Sequence, residues 1–318
     1  MATPASDDSS ALPRVVARRR GDAPGPTLIV IGGLHGNEPS GVEAMRRVAA
    51  TLDPERLPLR GDVVMLAGNV RALARGVRFV DHDLNRGWTG ERLAGLRASE
   101  TVEALDAEDY EQLELAEAVE QALASARGPV YLIDLHATSA EGIPFAMCRD
   151  AAQVRRFAGA FPLTLVLGLL EAVHGTLASY LGTHCIAVAV EGGQNSNPAS
   201  ARNHEAVIRL ALAAAGIVEE NALPGLAEHR QVLAGTRGDL PRVLHVHHRH
   251  AITPEDRFRM EPGFANIQRV AANELLARDR AGEIRAPGEG FILLPLYQAM
   301  GDDGFFLGRE EAERARVS

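Results

Sequence analysis

Short apolar runs alternate with helical patterns through the first two thirds of the chain, and few folds accommodate that order. A strand that is followed by a helix pairs in parallel with the next strand, because the helix carries the chain back across the sheet. The sequence therefore predicts an α/β fold with a mostly parallel mixed sheet flanked by helices on both faces. The runs that predict strands span residues 27–31, 62–67, 130–135, 145–148, 163–167 and 185–190.

Two segments between these runs have weaker patterns. Residues 70–88 follow neither the helical nor the strand period, so we interpret them as a long polar loop. Residues 98–127 are rich in Glu, Ala and Leu and predict an amphipathic helix that ends near Gly128. We expect the acidic face of that helix to lie in solvent.

The pattern changes near residues 223–225, beyond which short alternating runs are separated by glycine and proline. Such runs are typical of a small β-rich domain. We expect a disordered tail over residues 1–13, an α/β domain over residues 14–228 and a C-terminal β-domain over residues 229–318. The tail lacks the apolar segment of a signal peptide.

The net charge of −9 and the presence of only two cysteines argue against several classes of protein. An acidic chain lacks the basic field that nucleic acids and acidic membranes require. Cys148 and Cys185 are too few for a disulfide framework, which indicates a reduced, cytoplasmic protein. No apolar run approaches the roughly 18 residues of a membrane span. A small molecule is therefore the expected partner, and a homo-oligomer is compatible with the sequence.

Side chains that bind metals follow three of the predicted strands. His35 and Glu38 come after the first run, His136 after residues 130–135 and Glu191 after residues 185–190. The carboxyl ends of parallel strands meet at one edge of a sheet, so these side chains should lie together. Two histidines and one glutamate leave a fourth position for water, as a catalytic zinc site requires. Glu191 is our candidate for the base that accepts a proton from that water.

Four segments carry a more specific pattern: GGLHGNEPSG at 32–41, NVRALARGVRFVDHDLNRGW at 69–88, DLHATS at 134–139 and VAVEGGQ at 188–194. In this order they resemble the motifs of the zinc-dependent succinylglutamate desuccinylase and aspartoacylase family, which is related to the zinc carboxypeptidases. The resemblance spans most of the first domain. It implies a zinc carboxypeptidase-like fold and the hydrolysis of a small N-acylated amino acid or related amine through a metal-activated water.

The resemblance also implies how a metal is held. His35, Glu38 and His136 resemble the ligands of one zinc ion per chain, and Glu191 resembles the general base and acid of the family. Asp83 resembles the carboxylate that holds the first zinc histidine in one tautomer.

Further residues resemble the family's substrate contacts. Arg71 resembles the arginine that polarises the scissile carbonyl and stabilises the oxyanion. Asn85 and Arg86 resemble the pair that grips a substrate carboxylate. An arginine-rich pocket implies an anionic N-acyl substrate.

Two assignments have an equally good structural alternative. Asp134 lies two residues before His136 on one strand face, so it either orients that histidine or is a buried hydrogen-bonding residue. Tyr297 matches a tyrosine that the family's β-domain contributes to the substrate pocket, or it is a core aromatic residue. The family's further substrate-binding arginine has no match, because residues 162–184 contain no arginine.

Two other functions share some of these features. A metallocarboxypeptidase acting on short peptides would use the same zinc chemistry and the same carboxylate clamp. A non-catalytic zinc-binding protein would need neither a base nor an oxyanion donor, and it would prefer four protein ligands. The histidines of residues 245–250 are interpreted as a β-strand with titratable side chains rather than as a second metal site.

Overall fold

The computed structural model describes residues 12–53, 57–99, 105–298 and 300–311. Apart from residues 12 and 13, the predicted disordered tail lies outside the described residues. None of the helices in the described ranges combines the length and the apolar character that a membrane-spanning segment needs.

Strands and helices alternate as predicted up to residue 214, and strands dominate beyond residue 242. The strands are β1 Val15–Arg20, β2 Ala23–Gly32, β3 Arg60–Ala67, β4 Val130–Thr138, β5 Phe145–Cys148, β6 Thr164–Leu167, β7 Ile186–Gln194, β8 Val243–Ala251, β9 Arg259–Met260, β10 Gln268–Val270, β11 Leu275–Asp279, β12 Gly282–Arg285, β13 Gly290–Leu293 and β14 Asp303–Glu310. The helices are α1 Ser40–Ala49, α2 Val70–Arg75, α3 Gly90–Arg97, α4 Ala107–Ala124, α5 Ala152–Ala158, α6 Leu169–Ala172, α7 Leu177–Leu181, α8 Ala199–Ala214 and α9 Leu226–Arg237.

One mixed sheet of 11 strands runs through the described residues in the order β1-β3-β2-β4-β7-β5-β6-β8-β14-β13-β10. Its central strands β3, β2, β4 and β7 are parallel, whereas β5 runs antiparallel to β7. Helices cover both faces of the centre, so successive residues of β2 are all buried: Leu28, Ile29, Val30 and Ile31 are at most 1% exposed. The predicted fold class is confirmed.

The C-terminal strands continue the same sheet. β8 pairs in parallel with β6, with Val243 opposite Leu165, and β14 and β13 follow it in antiparallel pairs. A smaller antiparallel sheet, β12-β11-β9, lies beside them. The predicted boundary between residues 228 and 229 falls inside α9, and the division into two domains stays a prediction.

The prediction of one long polar loop over residues 70–88 is wrong for its first part, which forms α2. The Asn69 side chain accepts a hydrogen bond from the backbone N–H of Ala72 and so caps the helix. Gly76 ends it in the left-handed conformation, with φ of 64°. Six residues are too few to produce a clear helical period, so the pattern did not reveal this helix.

The expectation that the acidic face of the 98–127 helix lies in solvent holds for Glu114, Glu117 and Glu120, which are exposed, and is wrong for the first two turns of α4. Glu108 and Glu111 of α4 are fully buried. Glu108 accepts hydrogen bonds from the backbone N–H groups of Val80 and Asp81, at 2.7 and 2.8 Å. Glu111 accepts from the backbone N–H of Val70 at 2.8 Å. These carboxylates tie residues 70–82 to α4, and this segment leads directly into residues 83–86.

Candidate metal centre

The first two candidate ligands lie on the turn that follows β2. Gly33 has φ of 76°, a left-handed conformation that favours glycine, and there the chain leaves the sheet. The backbone N–H of Glu38 donates to the carbonyl of His35 at 3.1 Å, which closes a tight turn. Within it, Nδ1 of His35 lies 2.9 Å from Oε1 of Glu38.

The third candidate ligand comes from β4, the neighbour of β2 in the sheet. Nδ1 of His136 lies 3.3 Å from Oε2 of Glu38, and one ligand atom from each of His35, Glu38 and His136 lies within 4.8 Å of the others. All three residues are buried, with exposures of 4–6%. Two imidazole nitrogens and one carboxylate oxygen in this arrangement fit the donor set of a zinc site. We call these three residues the metal-ligand group; they could hold a metal ion.

A carboxylate faces the outer nitrogen of each histidine. Nε2 of His35 lies 3.0 Å from Oδ1 of Asp83, and Nε2 of His136 lies 3.1 Å from Oδ2 of Asp134. The contact with Asp83 is a hydrogen bond and favours a proton on Nε2 of His35, so that Nδ1, which faces Glu38, is the nitrogen available to a metal. The contact with Asp134 is an ion-pair distance, because neither carboxylate oxygen of Asp134 has a hydrogen-bond partner among the described residues. Asp83 thus lies where an orienting role requires it, and Asp134 lies close to the second histidine without a hydrogen bond to it.

Charge balance keeps Glu38 ionised although it is buried. Burial alone would raise its pKa, but the neighbouring His35 and His136 hold the pKa of Glu38 well below its ordinary value. A carboxylate that stays ionised is the form that binds a metal.

Glu191 lies on β7, directly opposite His136 in the parallel pairing with β4. Its side chain lines the same cavity as the metal-ligand group and is 8% exposed. Among the described residues, Oε2 of Glu191 has no hydrogen-bond partner. Burial raises the pKa of Glu191 to about 7, so its carboxyl group can exchange a proton near neutral pH.

The backbone behind Glu191 and His136 is held by α8, a contribution that the sequence motifs did not indicate. Nε2 of the fully buried His204 donates to the carbonyl of His136 at 2.9 Å. Burial lowers the pKa of His204 to about 4, so the ring is neutral at pH 7. The ring occupies the space that a Cβ on residue 192 would need, which explains Gly192 in the motif.

The structure corrects the predicted position of Arg71. Its side chain is 39% exposed, donates to Glu111 at 2.8 Å and does not line the cavity. Arg71 belongs to α2, which packs on α4, and the buried carboxylate of Glu111 draws the guanidinium to that side. Of the arginines in residues 69–78, it is Arg78 that lines the cavity, at 2.8 Å from Asp83 and 3.6 Å from Glu38. Spacing alone did not distinguish these two arginines of one segment.

Asn85 and Arg86 line the cavity, but both have partners within the chain. Oδ1 of Asn85 accepts from the backbone N–H of Leu177 at 2.8 Å. The Arg86 guanidinium lies 3.3 Å from Asp302 and 3.3 Å from Asp303. These aspartates precede and begin β14, and the sequence indicated only a Gly-Asp-Asp-Gly turn there.

Tyr297 does not line the cavity, which corrects its predicted position. The side chain is 40% exposed, and its hydroxyl accepts from the backbone N–H of Phe264 and donates to the carbonyl of Glu261. These two bonds hold the hydroxyl against the backbone of residues 261–264. Its neighbours Leu296 and Gln298 line the cavity instead.

The histidines of residues 245–250 take part in other contacts. His245 lies 3.0 Å from Glu311, and His250 stacks on Phe305 with ring centroids 4.9 Å apart. Within the described ranges, one further set of side chains has metal-ligand spacing, namely His82, Asp106 and Glu108. Glu108 already accepts hydrogen bonds from the backbone N–H groups of residues 80–82 and from the side-chain amide of Asn69.

Comparisons with known proteins identify relatives of this chain. The model of the succinylglutamate desuccinylase/aspartoacylase catalytic domain matches residues 24–215. The succinylglutamate desuccinylase of Burkholderia lata is 32% identical over 110 residues, which are 35% of this chain and 30% of that protein. That of Pseudomonas paraeruginosa is 37% identical over 71 residues, 22% of this chain and 21% of that protein. The matched segments thus span less than a third of these relatives.

Solved structures show the same fold over most of the chain. The product-bound ectoine utilization protein EutE (DoeB) from Ruegeria pomeroyi superposes with a TM-score of 0.66 and 21% identity, covering 91% of this chain and 87% of that one. A succinylglutamate desuccinylase/aspartoacylase from Rhodobacter sphaeroides has a TM-score of 0.67 and 18% identity, covering 94% and 88%. The succinylglutamate desuccinylase from Vibrio cholerae has a TM-score of 0.64 and 17% identity, covering 91% and 82%.

Proposed function

Because the chain belongs to the succinylglutamate desuccinylase/aspartoacylase family, we propose that it is a zinc-dependent deacylase that removes the acyl group from a small N-acylated amino acid or related amine. One observation carries the proposal: the metal-ligand group and the unpaired carboxylate oxygen of Glu191 line a single cavity. A structural or storage metal site would need neither an open cavity nor a base.

His35, Glu38 and His136 would hold the zinc ion, with Asp83 and Asp134 orienting the two histidines. When bound, zinc supplies Lewis-acid activation of water and of the substrate carbonyl. The chain supplies the position of that ion, because the turn after β2 and the end of β4 set the distances between the ligands.

Glu191 takes the proton from the attacking water and then delivers it to the leaving nitrogen. Its raised pKa suits both steps, since a group that titrates near the working pH is an effective base and an effective acid. The unpaired Oε2 is the atom that we assign to this transfer.

Arg78 replaces Arg71 in our assignment of the oxyanion donor. It lines the cavity, its side chain is 11% exposed, and its buried Nε–H has no hydrogen-bond partner among the described residues. A permanently charged donor in a buried position can stabilise the negative charge that develops on the carbonyl oxygen.

Asn85 and Arg86 remain our candidates for the clamp on a substrate carboxylate. The contacts of Arg86 with Asp302 are 3.3–3.4 Å long, and the Asp302 side chain is 52% exposed. A substrate carboxylate could therefore replace Asp302 at the guanidinium at little cost, while Asp303 stays in place.

The test is the Glu191→Gln variant, assayed with zinc content measured on the same sample. We expect zinc binding to be retained and kcat to fall by about 10²–10⁴-fold, the contribution of a general base. A panel of N-acetyl, N-succinyl and N-formyl amino acids, with dipeptides alongside, would define the reaction. The exposed Glu289→Gln is the matched control.

Full activity of Glu191→Gln would refute the assignment of the base. Hydrolysis of dipeptides without hydrolysis of N-acyl amino acids would identify a carboxypeptidase instead. Zinc binding without any turnover would indicate a non-catalytic zinc-binding protein. The cytoplasmic location and a homo-oligomeric state stay predictions.

A further inference from the structure

We infer that the amine part of the substrate is an amino acid with an apolar side chain, and that the chain discriminates against acidic amino acids. The inference rests on the proposed function, because it takes Asn85 and Arg86 as the clamp on the α-carboxylate. The evidence for the inference is an apolar surface of the cavity that lies beside this clamp.

The side of the cavity formed by α6, α7, β5 and β14 is apolar. Its side chains are all buried, with exposures of 1–6%, and belong to one core cluster that joins the centre of the sheet to its C-terminal strands. We call this surface the apolar wall; it consists of Met147, Leu169, Leu170, Val173, Ala178 and Phe306.

The apolar wall adjoins the clamp directly. The backbone N–H of Leu177, the first residue of α7, donates to Oδ1 of Asn85. The backbone N–H of Trp88 donates to the carbonyl of Gly175 at 3.0 Å. A Cβ at Gly175 would collide with the carbonyl of Arg86, so the α6–α7 connection lies against the clamp segment. The side chain of an amino acid held by Arg86 therefore lies beside the wall.

Charge at this end of the cavity does not favour a second carboxylate. Of the lining residues that the structure describes, Arg78 and Arg86 are the arginines, and both already contact acidic side chains. Residues 162–184, which form the α6–α7 part of the wall, contain no arginine. An acidic side chain would have to lose its water next to leucine, valine and methionine without a free cation, which is unfavourable.

An apolar side chain on the substrate is expected to bind favourably against the apolar wall. One methylene group in a hydrophobic pocket changes kcat/KM by roughly 10–200-fold. Leucine and aspartate side chains branch at the same carbon and differ mainly in charge, so their N-acetyl derivatives form a matched pair. We expect kcat/KM for N-acetyl-leucine to exceed that for N-acetyl-aspartate by about 100-fold or more.

The experiment measures kcat/KM of the zinc-loaded full chain on N-acetyl derivatives of leucine, methionine, alanine, aspartate and glutamate, and on N-succinyl-glutamate. A preference for aspartate or glutamate would overturn the inference while leaving the deacylase proposal intact. Failure to hydrolyse any of these amides would instead count against the proposed function and, with it, the inference.

Two variants test whether the wall causes the preference. Val173→Arg should supply the missing cation and shift the ratio of leucine to aspartate toward aspartate by at least about tenfold. Leu170→Ala should reduce kcat/KM for the leucine substrate more than for the alanine substrate. The control is Leu181→Ala, a buried leucine of α7 that packs in a different cluster and should lower stability without changing either ratio.

Leu170→Ala keeps the inference testable if Val173→Arg does not fold. If both folded variants keep the wild-type ratios, the wall does not contact the substrate side chain and the inference fails. If Leu181→Ala changes the ratios as much as Leu170→Ala, the effect comes from general loosening, which also overturns it.

Discussion

The metal-ligand group and the apolar wall face the same cavity but are held in different ways. Each ligand of the group lies just after a strand or in the last three residues of one, and each contacts at least one other charged or titratable group within 3.3 Å. The wall is held by side-chain packing in a core cluster and makes no directed bonds through its side chains. Directed contacts tolerate little change, whereas packed surfaces tolerate substitutions that conserve volume. We therefore expect chemistry to depend on the first region and substrate choice on the second.

Removing a ligand should have the largest effect and should separate the two regions most clearly. We expect His136→Ala to lose most of its bound zinc and to reduce kcat by about 1,000-fold or more, because water activation requires the ion. Elemental analysis and turnover on one sample measure both. His174→Ala, an exposed histidine, is the control and should change neither. Activity of His136→Ala with a full zinc complement would contradict the ligand assignment.

Asp83→Asn tests whether zinc binding by the metal-ligand group depends on the carboxylate that faces His35. Asp83 faces Nε2 of His35 at 3.0 Å, and loss of its charge should weaken zinc binding by about 10–100-fold. Competition with a chromophoric chelator measures this affinity independently of turnover. Leu170→Ala, in the wall, should keep the wild-type affinity. Equal weakening by both variants would remove the distinction between the two regions.

Asp302→Asn acts at the clamp between the two regions. Because Asp302 competes with the substrate carboxylate for Arg86, its neutralisation should lower KM by about two- to fivefold, the range of an exposed ion pair, and leave kcat unchanged. The difference should shrink in high salt, which screens such pairs. Asp22→Asn, at an exposed aspartate, is the control. An unchanged KM at low salt would exclude competition by Asp302.

The smallest effect concerns an ion-pair cluster just beyond the end of β14, the strand that carries Phe306 of the wall. Glu311 lies 2.9 Å from Arg155 and 3.0 Å from His245, and hydrogen bonds from these two residues lower its pKa to about 2 from an ordinary value of 4.5. The stabilisation is present above about pH 4.5 and is lost as the pH falls toward 2. Glu311→Gln should lower the free energy of unfolding at pH 7 by less than about 1 kcal/mol.

Denaturant titrations at pH 7 and near pH 3 measure this difference, which should become smaller at the lower pH. The neighbouring Glu310→Gln, at an exposed position, serves as the comparison. A difference that grows on acidification would have the wrong sign for a carboxylate with a lowered pKa.

Some features of the site were accessible from local sequence and others were not. His35, Glu38, His136 and Glu191 were found because each lies at or just beyond the end of an apolar run, where the strand order brings them together. Arg71 was misassigned, because Glu111, 40 residues away along the chain, holds it on the other side of α2. The expectation of a solvated acidic face was wrong for Glu108 and Glu111 of α4, because both carboxylates accept hydrogen bonds from backbone N–H groups of residues 70–82.

By itself the amino-acid sequence determined the order of strands and helices, the α/β class and the side chains that meet at the metal-ligand group. These follow from short-range periodicity and from the rule that parallel strands present their carboxyl ends at one edge. Only the tertiary structure decided that Arg78 faces the cavity, that Asp302 contacts Arg86 from 216 residues away, and that an apolar wall adjoins the clamp. Such contacts depend on which distant surfaces pack together, and periodicity carries no information about that packing.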